Sequence, residues 1–201
     1  MRPLFLSLVP ALVAAAPAAA QPGSLDQVSA HLRGISTMTA DFVQTDRTGK
    51  ALSGTLTLRQ PGKIRFQYQQ GVPLLIVGDG KALTMIDYSV KQVSRWPVGN
   101  SPLSVLIDPR KDMSRFAHIV PSAIPGTVAV EARDPKHPEF GTITILFARG
   151  GGPGGLVLQG WTVLDAQNGR ATVRLSNQRF GVPISDKAFI WNDPRPRGPR
   201  K

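Results

Sequence analysis

Three histidines are the side chains in this sequence best suited to acid–base or metal chemistry, because imidazole titrates near neutral pH and binds divalent metals. They are His31, His118 and His137, and none is spaced from another histidine or a carboxylate as a metal site requires. His31 is predicted on the polar side of a helix, whereas His137 and Glu139 share a proline-rich turn. The chain has no cysteine, so thiol chemistry and disulfides are excluded. These residues predict no metal site, no cofactor and no enzymatic activity.

A glycine run at residues 150–155 matches the G-x-G-x-x-G pattern of phosphate-binding loops. That pattern binds phosphate when a helix follows it, because a helix N-terminus presents free N–H groups. Residues 156–164 are strand-like instead. We therefore expect a flexible loop at this position and no phosphate site.

The first twenty residues have the three parts of a secretory signal peptide. Arg2 is basic, residues 4–16 are apolar, and Ala18-Ala19-Ala20 is a small-residue cleavage site. Cleavage after Ala20 would export a mature chain beginning at Gln21, with a retained membrane anchor as the alternative. We therefore expect the protein to act outside the cytoplasm.

The chain is strongly basic. Its formal net charge is +11, and subtracting Arg2 with the signal peptide leaves +10. In an exported protein this charge favours an anionic lipid surface over nucleic acid, although a compositional bias of the source genome would give the same excess of arginine. Residues 21–192 are predicted to form a single domain. The basic, proline-rich residues 193–201 are predicted to be a disordered tail.

Two segments have helical patterns. Residues 24–35 predict a helix capped by Ser24, with Gln27 completing a capping box. Its apolar stripe must pack on another apolar surface; the stripe consists of Leu25, Val28, Leu32 and Ile35. Residues 103–107 predict a short, very apolar helix, which must be buried or lie over an apolar surface because so short a helix is unstable alone.

The stretch 54–87 predicts a meander of four strands, because alternating runs are separated by turn residues such as Pro61-Gly62. Further strands are predicted over residues 37–44, 88–96, 128–133, 142–147, 156–164, 170–178 and 188–191. About ten antiparallel strands with two helices indicate an α+β fold. A sheet of this size curls, so we expect an incomplete β-barrel with helices as a lid over an apolar cavity. From the residues alone, a closed core is the alternative.

Several short motifs follow the order and spacing of one known family. They are Phe42-x-Gln44, Gly54-x-Leu56-x-Leu58, Gln60-Pro61-Gly62-Lys63-Ile64-Arg65-Phe66, Leu75-Ile76-Val77-Gly78-Asp79-Gly80-Lys81-x-Leu83, Ser101-Pro102-Leu103, and Phe180-Gly181 followed by Phe189. Behind a signal peptide, this series resembles the outer-membrane lipoprotein carrier family, the LolA-type periplasmic chaperones. The similarity spans essentially the whole mature chain and is strongest over residues 42–83.

The resemblance implies an incomplete β-barrel whose concave apolar cavity is covered by helices. It also implies a periplasmic protein without enzymatic activity that binds the acyl chains of lipoproteins. Such a carrier receives lipoproteins from an ATP-driven inner-membrane transporter and delivers them to an outer-membrane acceptor. We expect it to be a monomer. A periplasmic regulator of the same fold, which senses lipid or lipoprotein, is the alternative.

The predicted acyl-chain cavity combines both helices with the central meander. Its candidate residues are Val28, Leu32, Ile35, Phe42, Leu56, Leu58, Ile64, Phe66, Leu75, Val77, Leu103, Leu106 and Ile107. The family commonly has an arginine directly before the proline, where it bonds the lid. Here Gln60 occupies that position and Arg59 precedes it, so these two residues are the candidate lid latch. Neighbouring residues of a strand point to opposite faces, and the two side chains are therefore expected to diverge.

Overall fold

A computed structural model describes residues 23–97, 104–110 and 112–196. In this part of the chain, eleven strands form one antiparallel sheet. The strands are β1 Thr37–Thr45, β2 Ala51–Arg59, β3 Lys63–Tyr68, β4 Leu74–Asp79, β5 Ala82–Asp87, β6 Gln92–Pro97, β7 Ala117–Val120, β8 Thr127–Arg133, β9 Thr142–Arg149, β10 Leu156–Leu164 and β11 Arg170–Phe180. Two α-helices accompany them, α1 Leu25–Gly34 and the single turn α2 Ser104–Ile107.

Most neighbours in the sheet are also neighbours in the sequence. The exception is β1, which pairs with β11 and places Phe42 opposite Leu175, so the strand order is β6-β5-β4-β3-β2-β1-β11-β10-β9-β8-β7. This pairing joins the first half of the chain to the second. Among the described residues β6 and β7 remain as edges, so the sheet is not closed into a barrel.

The sheet is strongly curved. Phe66 of β3 and Trp161 of β10 are separated by three intervening strands, which in a flat sheet would hold them about 19 Å apart. Their ring centroids are only 6.0 Å apart. The sheet must therefore curl until its two halves face each other, as the sequence predicted.

The concave side of this sheet, the inner face, carries the main core. The apolar stripe of α1 packs there, with Val28 fully buried and Leu32 and Ile35 nearly so. Phe42 meets Phe66 and Tyr68 edge-on at centroid distances of 5.3 and 5.2 Å. Edge-on aromatic contacts add to the free energy gained from burial.

The convex side, the outer face, is partly covered by the C-terminal segment. A short 3-10 helix, Asp186–Phe189, precedes Trp191, and Phe189 and Trp191 pack on the outer-face side chains of β4 and β5. Arg65 of β3 donates hydrogen bonds to the carbonyl oxygens of Ala188 and Ile190, at 3.3 and 3.0 Å. The predicted strand over residues 188–191 is therefore wrong, because this segment bonds to side chains rather than to a strand edge.

The first helix begins as predicted. The side chain of Ser24 accepts a hydrogen bond of 3.1 Å from the backbone N–H of Gln27, which satisfies a free donor of the first turn. The side chain of Gln27 donates to the carbonyl oxygen of Gly154 at 3.1 Å. The run 149–155, which contains the 3-10 turn Pro153–Gly155 and is called the glycine turn below, is thus packed against α1. The predicted loop between the two strands is present, and its flexibility stays a prediction.

Two other elements differ from the predictions. Residues 88–91 form a turn, with Lys91 at a φ of 55°, so β6 begins only at Gln92. Strand β7 was not predicted. The predictions for residues 1–20 lie outside the described residues, as do those for the end of the tail, 197–201.

Candidate functional site

The inner face of the sheet contains an apolar hollow made of two adjoining cavities. The larger has a volume of about 170 Å³ and the smaller about 20 Å³. Ile64, Leu106 and Trp161 border both cavities, so these three side chains separate them. Because Leu106 belongs to α2, this one-turn helix lies against the hollow.

Most of the predicted cavity residues are brought together here. Those lining the hollow are Leu32, Ile35, Leu56, Leu58, Ile64, Phe66 and Leu106. Val28 and Phe42 are buried in the same core without lining either cavity. The prediction for Leu103 lies outside the described residues, as does that for the side chain of Ile107.

Two predicted cavity residues lie on the opposite side of the sheet. Leu75 and Val77 belong to the outer-face cluster with Ile86, where Phe189 and Trp191 cover them. Their neighbour Ile76 lines the larger cavity instead. The assignment of Leu75 and Val77 to the cavity is therefore corrected, because alternation along β4 places Ile76 on the inner face.

Neither candidate latch residue contacts α1 or α2 through the hydrogen bonds observed in the described residues. Arg59 points to the outer face, where it donates to the carbonyl oxygen of Ile184 at 2.9 Å and pairs with Asp186. Gln60 borders the smaller cavity, but its side-chain oxygen accepts from the N–H of Gly62 at 3.2 Å. The proposed latch at Arg59 is thus corrected, and Gln60 stabilises its own turn.

The polar link between the two helical segments comes from Arg33, in the last turn of α1. Its Nε donates a hydrogen bond of 3.0 Å to the carbonyl oxygen of Pro109, just after α2. Sequence reasoning missed this contact, because Arg33 lies off the apolar stripe of α1. No local pattern predicts that Pro109 would be its partner.

Trp161 lines both cavities and was not predicted to do so. A β-bulge at Gln159 shifts the register of β10, so Trp161 and Val163 face the hollow after Leu156 and Leu158. Gly160 adopts a φ of 149°, and a Cβ there would lie 2.0 Å from the carbonyl oxygen of Val173. A glycine inside a strand pattern often marks a bulge, and this signal was available in the sequence.

One polar pair stands beside the larger cavity. The hydroxyl of Tyr68 donates a hydrogen bond of 2.7 Å to the side-chain oxygen of Gln44, which lines that cavity. Burial raises the pKa of Tyr68 to about 12, because the phenolate would lose hydration. The phenol therefore stays neutral, and the hollow has no charge from this pair.

His31 is buried, contrary to the prediction that it lies on the polar side of its helix. Its Nδ1 is 2.7 Å from the carbonyl oxygen of Pro153 and must be the donor, since a carbonyl only accepts. Burial lowers the pKa of His31, an effect that the Pro153 carbonyl partly offsets. Its ring meets Phe147 edge-on at 5.4 Å. His31 thus attaches α1 to the glycine turn.

The other histidines form surface pairs. His118 lies 3.6 Å from the Glu131 carboxylate and His137 lies 3.0 Å from that of Glu139, and both histidines are about half exposed. Within residues 23–97, 104–110 and 112–196, no group of three or more potential metal ligands is present. None of the helices described there is both long and apolar enough to span a bilayer.

A wider groove of about 800 Å³ lies beside the glycine turn. It is open to solvent, and its lining includes the polar side chains of Ser176, Asn177 and Gln178. Apolar chains gain most where water is excluded. The inner-face hollow, which is less open to solvent and is lined mainly by apolar side chains, is therefore the better candidate for an apolar ligand.

Comparison with known proteins places this geometry in a family. Residues 33–192 match the family model described as outer membrane lipoprotein carrier protein LolA. An outer-membrane lipoprotein carrier protein from Chromobacterium violaceum is 31% identical over 205 residues, covering 97% of this chain and 96% of that protein. A protein of the same name from Dechloromonas aromatica is 32% identical over 99 residues, covering 45% of this chain and 48% of the relative.

One solved structure shows the same fold at low sequence identity. A DUF1329 family protein from Desulfovibrio piger superposes with a TM-score of 0.51 at 11% identity, covering 82% of this chain and 95% of that one. A LolA superfamily protein from Nitrosomonas europaea gives a TM-score of 0.48 at 10% identity, covering 83% and 96% of the two chains.

Proposed function

Because the chain belongs to the outer membrane lipoprotein carrier protein LolA family, we propose that it is a periplasmic carrier that shelters the acyl chains of lipoproteins. It would take them from the inner membrane and deliver them to the outer membrane. The observation that carries this proposal is the apolar hollow on the inner face, with a larger cavity of about 170 Å³.

The volume of the hollow is that expected of a carrier without bound acyl chains. Pockets that enclose a small-molecule ligand usually measure about 300–1,000 Å³, so the larger cavity is too small for several acyl chains. Leu106 and Trp161 occupy the space between the two cavities. Loading would therefore displace these side chains and join the cavities into one site.

The energetics of carriage require partners on both sides. Exposing one acyl methylene to water costs about 0.8 kcal/mol, and a bilayer shelters the same chain equally well. A cavity therefore cannot extract a lipoprotein without an energy source. An ATP-driven inner-membrane transporter would supply this energy, and an outer-membrane acceptor with a more favourable site would receive the cargo. The carrier itself would act as a monomer, without a cofactor and without enzymatic activity.

The proposed acyl-binding residues are the lining residues contributed by α1, β2, β3 and α2. Leu32 comes from α1 and Ile35 from the cap that ends it, Leu56 and Leu58 come from β2, and Leu106 comes from α2. These residues provide the apolar wall that alkyl chains require. The polar side chains of Tyr68 and Gln44 beside this wall are hydrogen-bonded to each other. In this proposal the signal peptide at residues 1–20 directs export of the protein. The basic tail adds positive charge that would face a membrane surface.

The test is release of a radiolabelled lipoprotein from spheroplasts by added protein. The wild type should release it, and Leu106→Asp should fail, because a carboxylate in the hollow would be desolvated beside the acyl chains. Val43→Asp is the matched control, since Val43 lies on the sheet with 44% of its surface exposed. Circular dichroism would verify that both variants fold.

Two results would overturn the proposal. One is a folded Leu106→Asp protein that releases lipoprotein as well as Val43→Asp does. The other is native mass spectrometry of wild-type protein purified from the periplasm that finds no acylated cargo. Recovery of a signalling protein in place of cargo would support the lipid-sensing regulator instead.

A further inference from the structure

The larger cavity of the hollow is almost entirely apolar. Among the described residues, those that line it are Gln44, Ile64, Phe66, Ile76, Leu83, Leu106, Trp161, Val163, Ala171 and Val173. Only two of these side chains carry a polar atom, namely the amide of Gln44 and the indole N–H of Trp161, and none of them is charged. A ligand in this cavity can therefore form hydrogen bonds with the lining side chains at only two places.

Gln44 is arranged to donate hydrogen bonds. Its side-chain oxygen already accepts the bond of 2.7 Å from the hydroxyl of Tyr68. Tyr68 is 4% exposed and meets Phe42 edge-on at 5.2 Å, so this partner is itself fixed by packing. A primary amide also has two N–H donors, and within residues 23–97, 104–110 and 112–196 no hydrogen bond uses those of Gln44. The amide nitrogen is therefore the part of Gln44 left to bind a ligand.

A cavity with free donors selects the polar group that can enter it. An ester carbonyl only accepts, so it would pair with the Gln44 amide and leave no donor of its own unpaired. An amide-linked chain brings an additional N–H, and a buried donor without a partner is costly. A carboxylate would lose its hydration, and no lining side chain has a positive charge to compensate. A neutral ester is the group that fits best.

The position of Gln44 also sets a direction along the hollow. Met38 lines the smaller cavity, and Gln44, six residues later on β1, lines the larger one. At about 3.3 Å per residue, the two positions are about 20 Å apart. A chain that begins at Gln44 would run past Trp161 toward Leu56. The smaller cavity has an amide of its own, Gln60, but a volume of about 20 Å³ has room for about one water molecule and not for an ester group.

We propose that Gln44 determines the specificity of the hollow, because its amide N–H groups bind the carbonyl oxygen of an ester-linked acyl chain whose alkyl part extends toward the smaller cavity. This inference rests on the proposed function and names the chemical linkage of the chain that the hollow shelters. Chains linked through an amide, and free fatty acids, fit the larger cavity less well.

Ligands that differ by one group test the proposal. Methyl laurate has the ester carbonyl, and dodecyl methyl ether has the same chain without it. Displacement of the dye bis-ANS gives a dissociation constant for each. Gln44→Leu should lower the preference for the ester over the ether by about tenfold, because the carbonyl oxygen loses its donor. Tighter binding of N-methyl lauramide or of laurate than of methyl laurate to the wild type would overturn the choice of an ester.

Two further variants separate recognition from folding. Gln69→Leu is the matched control, because it removes the same amide from an exposed glutamine whose partner is the hydroxyl of Ser53, and it should keep the wild-type preference. Gln44→Leu combined with Tyr68→Phe replaces both partners of the buried hydrogen bond by apolar groups, so no hydroxyl is left unpaired. This double variant should keep the wild-type circular dichroism spectrum and still lose the preference for the ester. A purely structural role of Gln44 would weaken the binding of ester and ether equally.

The outcomes separate this proposal from the carrier function. A preference for the ester that survives in both Gln44 variants, or that falls equally in Gln69→Leu, would overturn the role of Gln44 and leave the carrier function intact. A wild type that binds neither methyl laurate nor the ether would disprove the carrier function, and the proposal with it.

The direction of the chain is tested by photolabelling. A methyl palmitate analogue with a diazirine next to its terminal methyl group would label the residues around the end of the chain. Trypsin releases residues 51–59, from the wall of the smaller cavity, and residues 171–174, from the wall of the larger one. Mass spectrometry should find the label on residues 51–59. Labelling mainly of residues 171–174 would overturn the proposed direction.

Discussion

Truncation of Leu106 to alanine should loosen the cover of the hollow and accelerate ligand uptake. Each methylene-sized group removed from a buried site costs about 0.8 kcal/mol, and Leu→Ala substitutions in protein cores cost about 2–5 kcal/mol. Leu106 already has a cavity on each side, so it makes fewer contacts than a side chain in a dense core. We therefore expect the low end of the range, about 2 kcal/mol.

If Leu106 is buried only when the hollow is closed, its truncation destabilises the closed state and leaves the open state unaffected. The whole free-energy loss then shifts the equilibrium from closed to open. A difference of about 2 kcal/mol changes an equilibrium constant by about 30-fold. The uptake rate of a fluorescent palmitoyl probe should rise by up to about that factor when opening limits the rate. Urea denaturation should show a free energy of unfolding lower by no more than about 2 kcal/mol.

Leu75→Ala is the matched control, because it removes the same atoms from a side chain that is 2% exposed in the outer-face cluster. It should lower the free energy of unfolding by about 2–4 kcal/mol and leave the uptake rate unchanged. The reasoning would be refuted if both variants accelerated uptake equally. It would also be refuted if Leu106→Ala lost stability without any change in uptake.

Three further predictions concern the contacts around the hollow. Burial lowers the pKa of His31, so the unfolded chain binds a proton that the native chain does not as the pH falls below about 6.5. The free energy of unfolding should therefore decline from pH 7 to pH 5.5 in urea titrations, and His31→Gln should flatten this slope; an unchanged slope in that variant would contradict the reasoning. Tyr68→Phe should lower the free energy of unfolding by about 1–2 kcal/mol in the same assay, because Gln44 loses its hydrogen-bond donor. An unchanged free energy of unfolding would show that water replaces the hydroxyl. Phe189→Ala should lower the thermal midpoint without slowing probe uptake, since Phe189 covers the outer face, and slower uptake would mean that the C-terminal segment contributes to the site.

Local patterns predicted much of the sheet because hairpins depend on neighbours in the sequence. The predicted hairpin between β10 and β11 is present; residues 165–169 connect the two strands, with Asn168 at a φ of 59°. Ser24 caps α1 as expected. The four strands of the central meander pair in sequence order. Each of these features is determined by a few consecutive residues.

Face assignments were harder where a strand is apolar on both sides. Residues 74–77 are all apolar, so alternation alone could not identify which side chains face the hollow. Leu75 and Val77 face outward because the C-terminal segment provides an apolar cover there. Trp161 faces inward because the bulge at Gln159 changes the register of β10. Both outcomes depend on residues distant in the sequence or on one backbone irregularity.

By itself, the amino-acid sequence determined the number and order of most strands, the capped first helix and the family resemblance, because all of these are encoded in short-range periodicity, turn residues and motif spacing. Only the tertiary structure decided that His31 is buried under the glycine turn, that Arg33 bonds Pro109, and that Leu106 and Trp161 lie between the two cavities of the hollow. The physical reason is that burial and hydrogen-bond partners are set by the packing of segments more than seventy residues apart in the sequence, and no local pattern specifies that packing.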